Sequence, residues 1–224
     1  MNVDGKRVVL CYGDSNTYGF NPETGGRYLK AQRWTTILGD KLGDSYDVIN
    51  EGMNGRTTAY KRPGSDWQNG LDVIAAAIHT HYPIDYLVIM LGTNDCNNDM
   101  FLEPEQIADG MRRLVLKARE VNSWLAVEQP EIIIVCPAAI RPELEGTPFE
   151  DDLDESSVAK SQALASLYEN LADELDCTYV NASSLEVSLV DCEHLTAAAH
   201  EDLAESLYDA IRLLASAEEV ALGQ

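Results

Sequence analysis

Ser15 stands two residues after Gly13 in the run Gly13-Asp14-Ser15-Asn16-Thr17. A serine hydroxyl is a poor nucleophile until a neighbouring base takes its proton. The far end of the chain supplies such a base. Asp191-Cys192-Glu193-His194 sets a carboxylate and an imidazole three residues apart. At that spacing the carboxylate can hold one ring nitrogen while the other is offered outward as a proton acceptor. Each residue alone has a plainer reading. A serine or aspartate ahead of a helix commonly caps it, and Leu195-Thr196-Ala197-Ala198-Ala199 opens a helical pattern with Thr196 as a further cap. The chain has no G-x-S-x-G elbow, so it lacks the α/β-hydrolase signature.

Two more residues fit the same chemistry. Asn94, in Gly92-Thr93-Asn94-Asp95, can present a neutral amide N–H. Gly55, in Glu51-Gly52-Met53-Asn54-Gly55-Arg56-Thr57, can present a backbone N–H with no side chain in the way. With the Ser15 amide these make three donors suited to a developing oxyanion. Singly, Asn94 reads as a turn residue and Gly55 as a positive-φ position.

For such residues to meet, strands must deliver them to one edge. Five short runs read as strands: 7–12, 47–50, 86–91, 132–136 and 178–180. Between them lie helical patterns at 32–42, 67–80, 104–122, 156–175 and 197–215. Alternating buried strands and helices predict an α/β fold with a parallel sheet covered on both faces. Function in such sheets sits beyond the strands' carboxyl ends. Ser15, Gly55 and Asn94 each follow one of the first three predicted strands. Segment 137–154, with its prolines and acids, is expected to act as a lid or an oligomer contact.

The 224 residues suit one domain, 1–224, with no repeat or linker dividing it. Sixteen Lys and Arg against 38 Asp and Glu give a net charge of −22. That balance argues against nucleic acid, whose affinity rests on clustered cations, and against an anionic membrane surface. It fits a solvated acidic surface or a high-salt habitat, and the sequence favours neither. Five scattered cysteines without a C-x-x-C pair read as thiols of a reducing compartment. No leader pattern precedes Arg7, so a cytoplasmic location is expected.

Taken together, Gly13-Asp14-Ser15, Gly55, Gly92-Thr93-Asn94-Asp95 and Asp191-x-x-His194 resemble the SGNH (GDSL-type) hydrolase family over nearly the whole chain. Arg33-Trp34, the block from Glu51 to Thr58, and Ile89-Met90-Leu91 before Gly92 are similar to its bacterial arylesterase/acyltransferase branch. The resemblance implies a flavodoxin-like three-layer α/β/α sandwich with a central five-stranded parallel sheet. It implies Ser15 as nucleophile, His194 as general base and Asp191 as the residue orienting it. Ser15, Gly55 and Asn94 would form the oxyanion hole. Asn16 replaces the leucine that names the motif, making the pocket more polar, and Asn16 and Asn54 are expected to contact substrate.

The implied activity is cleavage of short-chain carboxylic esters, with acyl transfer or perhydrolysis when another acceptor replaces water. A carbohydrate acetylesterase or thioesterase on the same fold is an alternative, as is a flavodoxin-like FMN-binding electron carrier with a phosphate cradled at Ser15-Asn16-Thr17. The esterase needs no cofactor or metal, takes a small-molecule ester as its partner, and leaves homo-oligomer formation open. Asp95-Cys96-Asn97-Asn98-Asp99 mimics the start of a calcium loop but lacks its glycine and final glutamate. His200 is expected to face solvent on the last helix. Cys192 is expected to be an incidental small residue, and Glu193 to raise the pKa of His194 if its carboxylate lies close.

Overall fold

Val8, Leu10 and Tyr12 point to one face of the first strand and Val9 and Cys11 to the other, and all five are buried. A strand apolar on both faces must lie inside a sheet covered by helices. The computed structural model describes residues 5–222; the outermost residues of the expected domain, including the segment before Gly5 read for a leader, lie outside the described residues.

In chain order the elements are β1 (Arg7–Gly13), α1 (Ser15–Tyr18), β2 (Phe20–Asn21), β3 (Gly26–Arg27), α2 (Trp34–Leu42), β4 (Tyr46–Gly52), α3 (Gly70–His81), β5 (Tyr86–Met90), α4 (Pro104–Leu125), β6 (Glu131–Cys136), α5 (Glu155–Glu174), β7 (Thr178–Asn181) and α6 (Ala197–Leu222). The five long strands form a parallel sheet in the order β4-β1-β5-β6-β7. That is the doubly wound, flavodoxin-like order, with its switch point between β1 and β5. Helices α3, α4 and α5 cover one face through Ile74, Met111 and Leu164. Helices α2 and α6 cover the other through Leu38, Leu203 and Leu207. The result is the expected three-layer sandwich.

The five predicted strands are all present, each within one or two residues of its expected ends. In the patterns 32–42 and 67–80 the α-helix starts later than expected, at Trp34 and Gly70, each preceded by a short 3-10 turn, Lys30–Gln32 and Asp66–Gln68. The hairpin of β2 and β3 and the four-residue α1 were not anticipated, since elements this short leave no hydrophobic period. Among the described residues, no helix is long and apolar enough to cross a membrane.

Two local devices fix the switch point. Asp14 caps α1, accepting from the Asn16 N–H at 2.9 Å, and Gly19 ends it in the left-handed region. Helix α1 also presses onto the end of β4: a Cβ at Gly52 would lie 2.0 Å from the Tyr18 nitrogen. Ser15 is thus held as the first residue of a turn that cannot shift.

Candidate active site

The Ser15 hydroxyl lies 2.7 Å from His194 Nε2, and His194 Nδ1 lies 2.8 Å from Asp191 Oδ2. A carboxylate only accepts, so the Nδ1 proton belongs to that bond and Nε2 is left to accept from Ser15. All three residues are buried. The Asp191 loop is itself braced: its Oδ1 accepts from the backbone N–H groups of Glu193 and His194 at 3.1 and 3.0 Å. Thr196 caps α6 by accepting from the Ala199 N–H at 3.2 Å, so Asp191 is free to orient the ring instead of capping the helix.

Charge follows from these contacts. Burial pushes the Asp191 carboxyl up, but the hydrogen bond and charge of His194 and the two backbone donors outweigh it and hold the group below its ordinary value. Burial pushes His194 down, yet the Asp191 bond and the negative charges of Glu193, Asp191 and Asp14 leave it above its ordinary value. The expected influence of Glu193 on His194 is therefore present. Burial also lifts Asp14 to about 6 and Asp95 to about 7.

The three expected donors border the same space. Ser15, Gly55 and Asn94 all line one cavity of about 170 Å³. As the first residue of α1, Ser15 has a backbone N–H without an intrahelical acceptor. Gly55 sits at φ +76°, a conformation that side chains disfavour, with the Gln68 amide where a Cβ would go. Asn94 donates one Nδ2 hydrogen to the Arg56 carbonyl at 3.1 Å, which aims the second elsewhere. Behind it, Asp95 accepts from the Thr58 N–H and hydroxyl, at 2.9 and 2.5 Å. Arg56 in turn donates to the Gly13 carbonyl at 2.8 Å and to the Glu51 carbonyl. The loops after β1, β4 and β5 are thereby tied to one another.

Asn54, expected to contact substrate, lines the cavity. Asn16 does not. Its amide bridges the two halves of the site instead: Oδ1 accepts from the Leu195 N–H at 2.9 Å and Nδ2 donates to the Glu193 carbonyl at 3.4 Å. The expectation that Asn16 contacts substrate is corrected on that ground. A phosphate cradle at Ser15-Asn16-Thr17 fails for the same reason, since the Ser15 and Asn16 side chains are already engaged.

His200 is likewise corrected from solvent to core. It is fully buried, its Nδ1 accepts from the Trp34 N–H at 3.3 Å, and burial drives its pKa down to about 4. Cys192 is buried with its thiol donating to the Glu143 carbonyl at 3.1 Å. In the Asp95–Asp99 run, Asp95 is held by Thr58 and Asp99 by Arg62, so neither carboxylate is arranged for a cation.

Several pocket residues carry no signal in the sequence, Asp152 among them. Phe20 and Phe149 stand 4.4 and 6.0 Å from the His194 ring, and Leu153 adds a third apolar group. Arg62 joins the wall from the loop after β4. No motif flags them, because they come from irregular segments. Phe149 and Leu153 belong to segment 137–154, which packs as a wall of the cavity with Ile140 and Leu144 buried beneath it.

Residues 11–213 match the GDSL-like lipase/acylhydrolase family. Among solved structures, a carbohydrate acetylesterase from Sinorhizobium meliloti is 32% identical, with 93% of this chain and 100% of that one covered and a TM-score of 0.86. The native aryl esterase of M. smegmatis is also 32% identical, with 93% and 99% covered and a TM-score of 0.86. An uncharacterized lipoprotein of Bacillus subtilis (strain 168) is 36% identical over 91 residues, 41% of this chain; the match spans only 33% of that protein's length. The family match runs from the first strand into the last helix and so takes in the serine loop and the aspartate–histidine loop together: the chain belongs to the GDSL-like lipase/acylhydrolase family.

Proposed function

We propose that this protein hydrolyses short-chain carboxylic esters through an acyl-enzyme on Ser15. The observation that carries the reading is the continuous relay from Ser15 Oγ to His194 Nε2 at 2.7 Å and from His194 Nδ1 to Asp191 Oδ2 at 2.8 Å. As the Ser15 oxygen bonds to the ester carbonyl carbon, its proton passes to His194 Nε2. The carbonyl oxygen gains negative charge opposite the Ser15 and Gly55 N–H groups and the Asn94 amide. Collapse breaks the ester C–O bond, and the alcohol leaves with the proton from His194. Water, deprotonated by the same nitrogen, then releases the acid and restores Ser15. Another alcohol or peroxide in place of water would give acyl transfer or perhydrolysis.

The small cavity supports a short acyl group. At about 170 Å³ it is well under the roughly 300–1,000 Å³ of pockets that enclose drug-sized ligands. Its polar wall of Asn54, Asn97 and Glu193 favours a polar substrate, and the similarity to a carbohydrate acetylesterase points the same way. Hydrolysis of p-nitrophenyl esters from acetate to octanoate, wild type beside Ser15→Ala, tests the reading. Turnover should peak at acetate or butyrate and fall by about 10⁶ in the variant, the scale of losing a triad nucleophile. A folded Ser15→Ala protein with most of the wild-type rate would overturn it.

A further inference from the structure

Glu193 occupies an unusual position for a charged side chain. It is only 7% exposed, and that exposure opens into the cavity shared with Ser15 and His194. Its backbone is pinned on both sides, the N–H to Asp191 and the carbonyl to Asn16. Its carboxyl, by contrast, accepts a hydrogen bond from no donor among the described residues. Solvent reaches the residue only from the cavity, so a substrate that fills the cavity displaces it, and an acceptor then left without a donor is costly.

The other charged residues at the cavity mouth are differently placed. Arg62 donates to Asp99 at 2.9 Å and to Asp152 at 3.3 Å. Asn97, with its amide oxygen turned to satisfy the guanidinium, accepts from Arg62 at 3.0 and 3.1 Å. That cluster closes on itself. Glu193, on the wall of the same cavity, has no such partner, and its acceptors are left for whatever fills that space.

We propose that Glu193 is a substrate-specificity residue, selecting esters that carry a hydroxyl hydrogen-bond donor on the part of the molecule lying in the cavity beside Ser15. The proposal rests on the reading of Ser15 as the nucleophile of an ester hydrolase. A substrate hydroxyl supplies the donor that the protein withholds. A substrate lacking one leaves the carboxyl desolvated and unpaired, which is how a polar site rejects an apolar isostere. Burial pushes the carboxyl up to about 7; among its neighbours His194 and Arg62 oppose that rise, and Asp14 and Asp191 add to it. In either protonation state the carboxyl retains an acceptor oxygen for a hydroxyl. An ester bearing a carboxylate would meet repulsion from the same group whenever it is ionised.

The test is a ratio of kcat/KM values for two matched acetates, glycerol monoacetate and its di-O-methyl ether, measured in wild type, Glu193→Gln and Glu193→Leu. Wild type should prefer the hydroxyl-bearing ester by about 10- to 100-fold, the scale of hydrogen bonds involving a charged partner. Glu193→Leu should bring the ratio close to one, and Glu193→Gln, which keeps an acceptor, should retain part of it. Absolute rates can change in both variants through the charge lost beside His194, whereas a residue serving only to hold the loop would leave the ratio untouched. An unchanged ratio in Glu193→Leu, or no preference in wild type, overturns the proposal. If either variant fails to fold, the wild-type ratio together with the other variant still decides it. Turnover of glycerol monoacetate or p-nitrophenyl acetate by wild type separates the outcomes: turnover with no Glu193-dependent ratio sinks the specificity role alone, and failure to cleave any of the esters sinks the hydrolase reading and this inference with it.

Discussion

Asn16 Oδ1 accepts a hydrogen bond from the Leu195 N–H at 2.9 Å, joining residues 179 positions apart in the chain. Each is the immediate successor of a site residue, Asn16 of Ser15 and Leu195 of His194. The bond therefore ties the Ser15 turn to the His194 loop from the side away from the cavity, which Asn16 and Leu195 do not line. The Trp34 indole N–H, donating to the Asn16 carbonyl at 3.1 Å, ties the same turn to α2.

Replacing Asn16 by leucine should loosen that junction. The Leu195 N–H would be buried without an acceptor, a loss of about 1–3 kcal/mol. For a chain of this size each kcal/mol moves Tm by about 2–4 °C, so a fall of several degrees is expected. Because a displacement of about 1 Å can reduce a rate 100-fold, kcat should drop at least tenfold as well. Thermal melts and p-nitrophenyl acetate kinetics on Asn16→Leu measure both, and a variant with unchanged Tm and kcat would contradict the bracing role.

Asn94→Ala should act on the rate with little effect on the fold. The residue donates to Arg56 at 3.1 Å and aims its second amide hydrogen away from that bond, while the loop itself is held by Asp95 on Thr58. Removing one oxyanion donor lowers kcat by about 10²–10³. KM for p-nitrophenyl acetate should change far less than kcat, because the donor strengthens chiefly as charge develops. A loss expressed mainly in KM would place Asn94 in ground-state binding instead.

The sheet, its helices and the members of the Ser15–His194–Asp191 relay were legible in the sequence because they rest on local signals. β-Branched runs bounded by glycine loops mark strand ends and place Ser15 just after the first, whereas Asp191 and His194, well past β7, are marked by their own three-residue spacing. Asn16 was misread because its partners lie across the fold, and no local pattern announces a bond to Leu195. His200 was misread despite a signal: it shares a helical face with Leu203, Ala204, Leu207 and Ile211, all of them buried. Its polarity was given more weight than its period. Phe20 lies in a strand of two residues and Phe149 in an irregular loop, where neither period nor propensity carries information.

The acid limb of the rate should lie above the ordinary histidine range. In the proposed mechanism His194 must be neutral to accept the Ser15 proton, and its pKa is raised above 6.5 because the Asp191 bond and the charges of Glu193, Asp191 and Asp14 outweigh burial. As pH falls through that raised value the ring becomes protonated and kcat/KM should decline. Glu193→Gln removes one of the raising charges and should move the limb to lower pH. Profiles of kcat/KM between pH 5 and 9, with circular dichroism recorded at each point, test this. A wild-type limb below 6.5, or one unmoved by Glu193→Gln, would remove these charges from the account.

His200 should make the protein less stable in acid. Its Nδ1 accepts from Trp34, its Nε2 is buried without a partner among the described residues, and burial lowers its pKa from 6.5 to about 4. Between those values the unfolded chain binds a proton that the folded chain refuses. The stability that the neutral ring provides is thus complete above pH 6.5 and is lost as pH falls toward 4, by roughly 3 kcal/mol in all. Asp14, Asp95 and Glu193 titrate in the opposite sense, since burial lifts them to about 6 or 7 and the folded chain there holds protons that the unfolded chain releases. The wild-type curve mixes these effects, and the difference between wild type and His200→Gln isolates the imidazole. Urea midpoints at pH 7.5 and pH 4.5 should therefore show the wild type losing more stability than the variant. Equal losses would mean that the ring gains its proton without leaving the core.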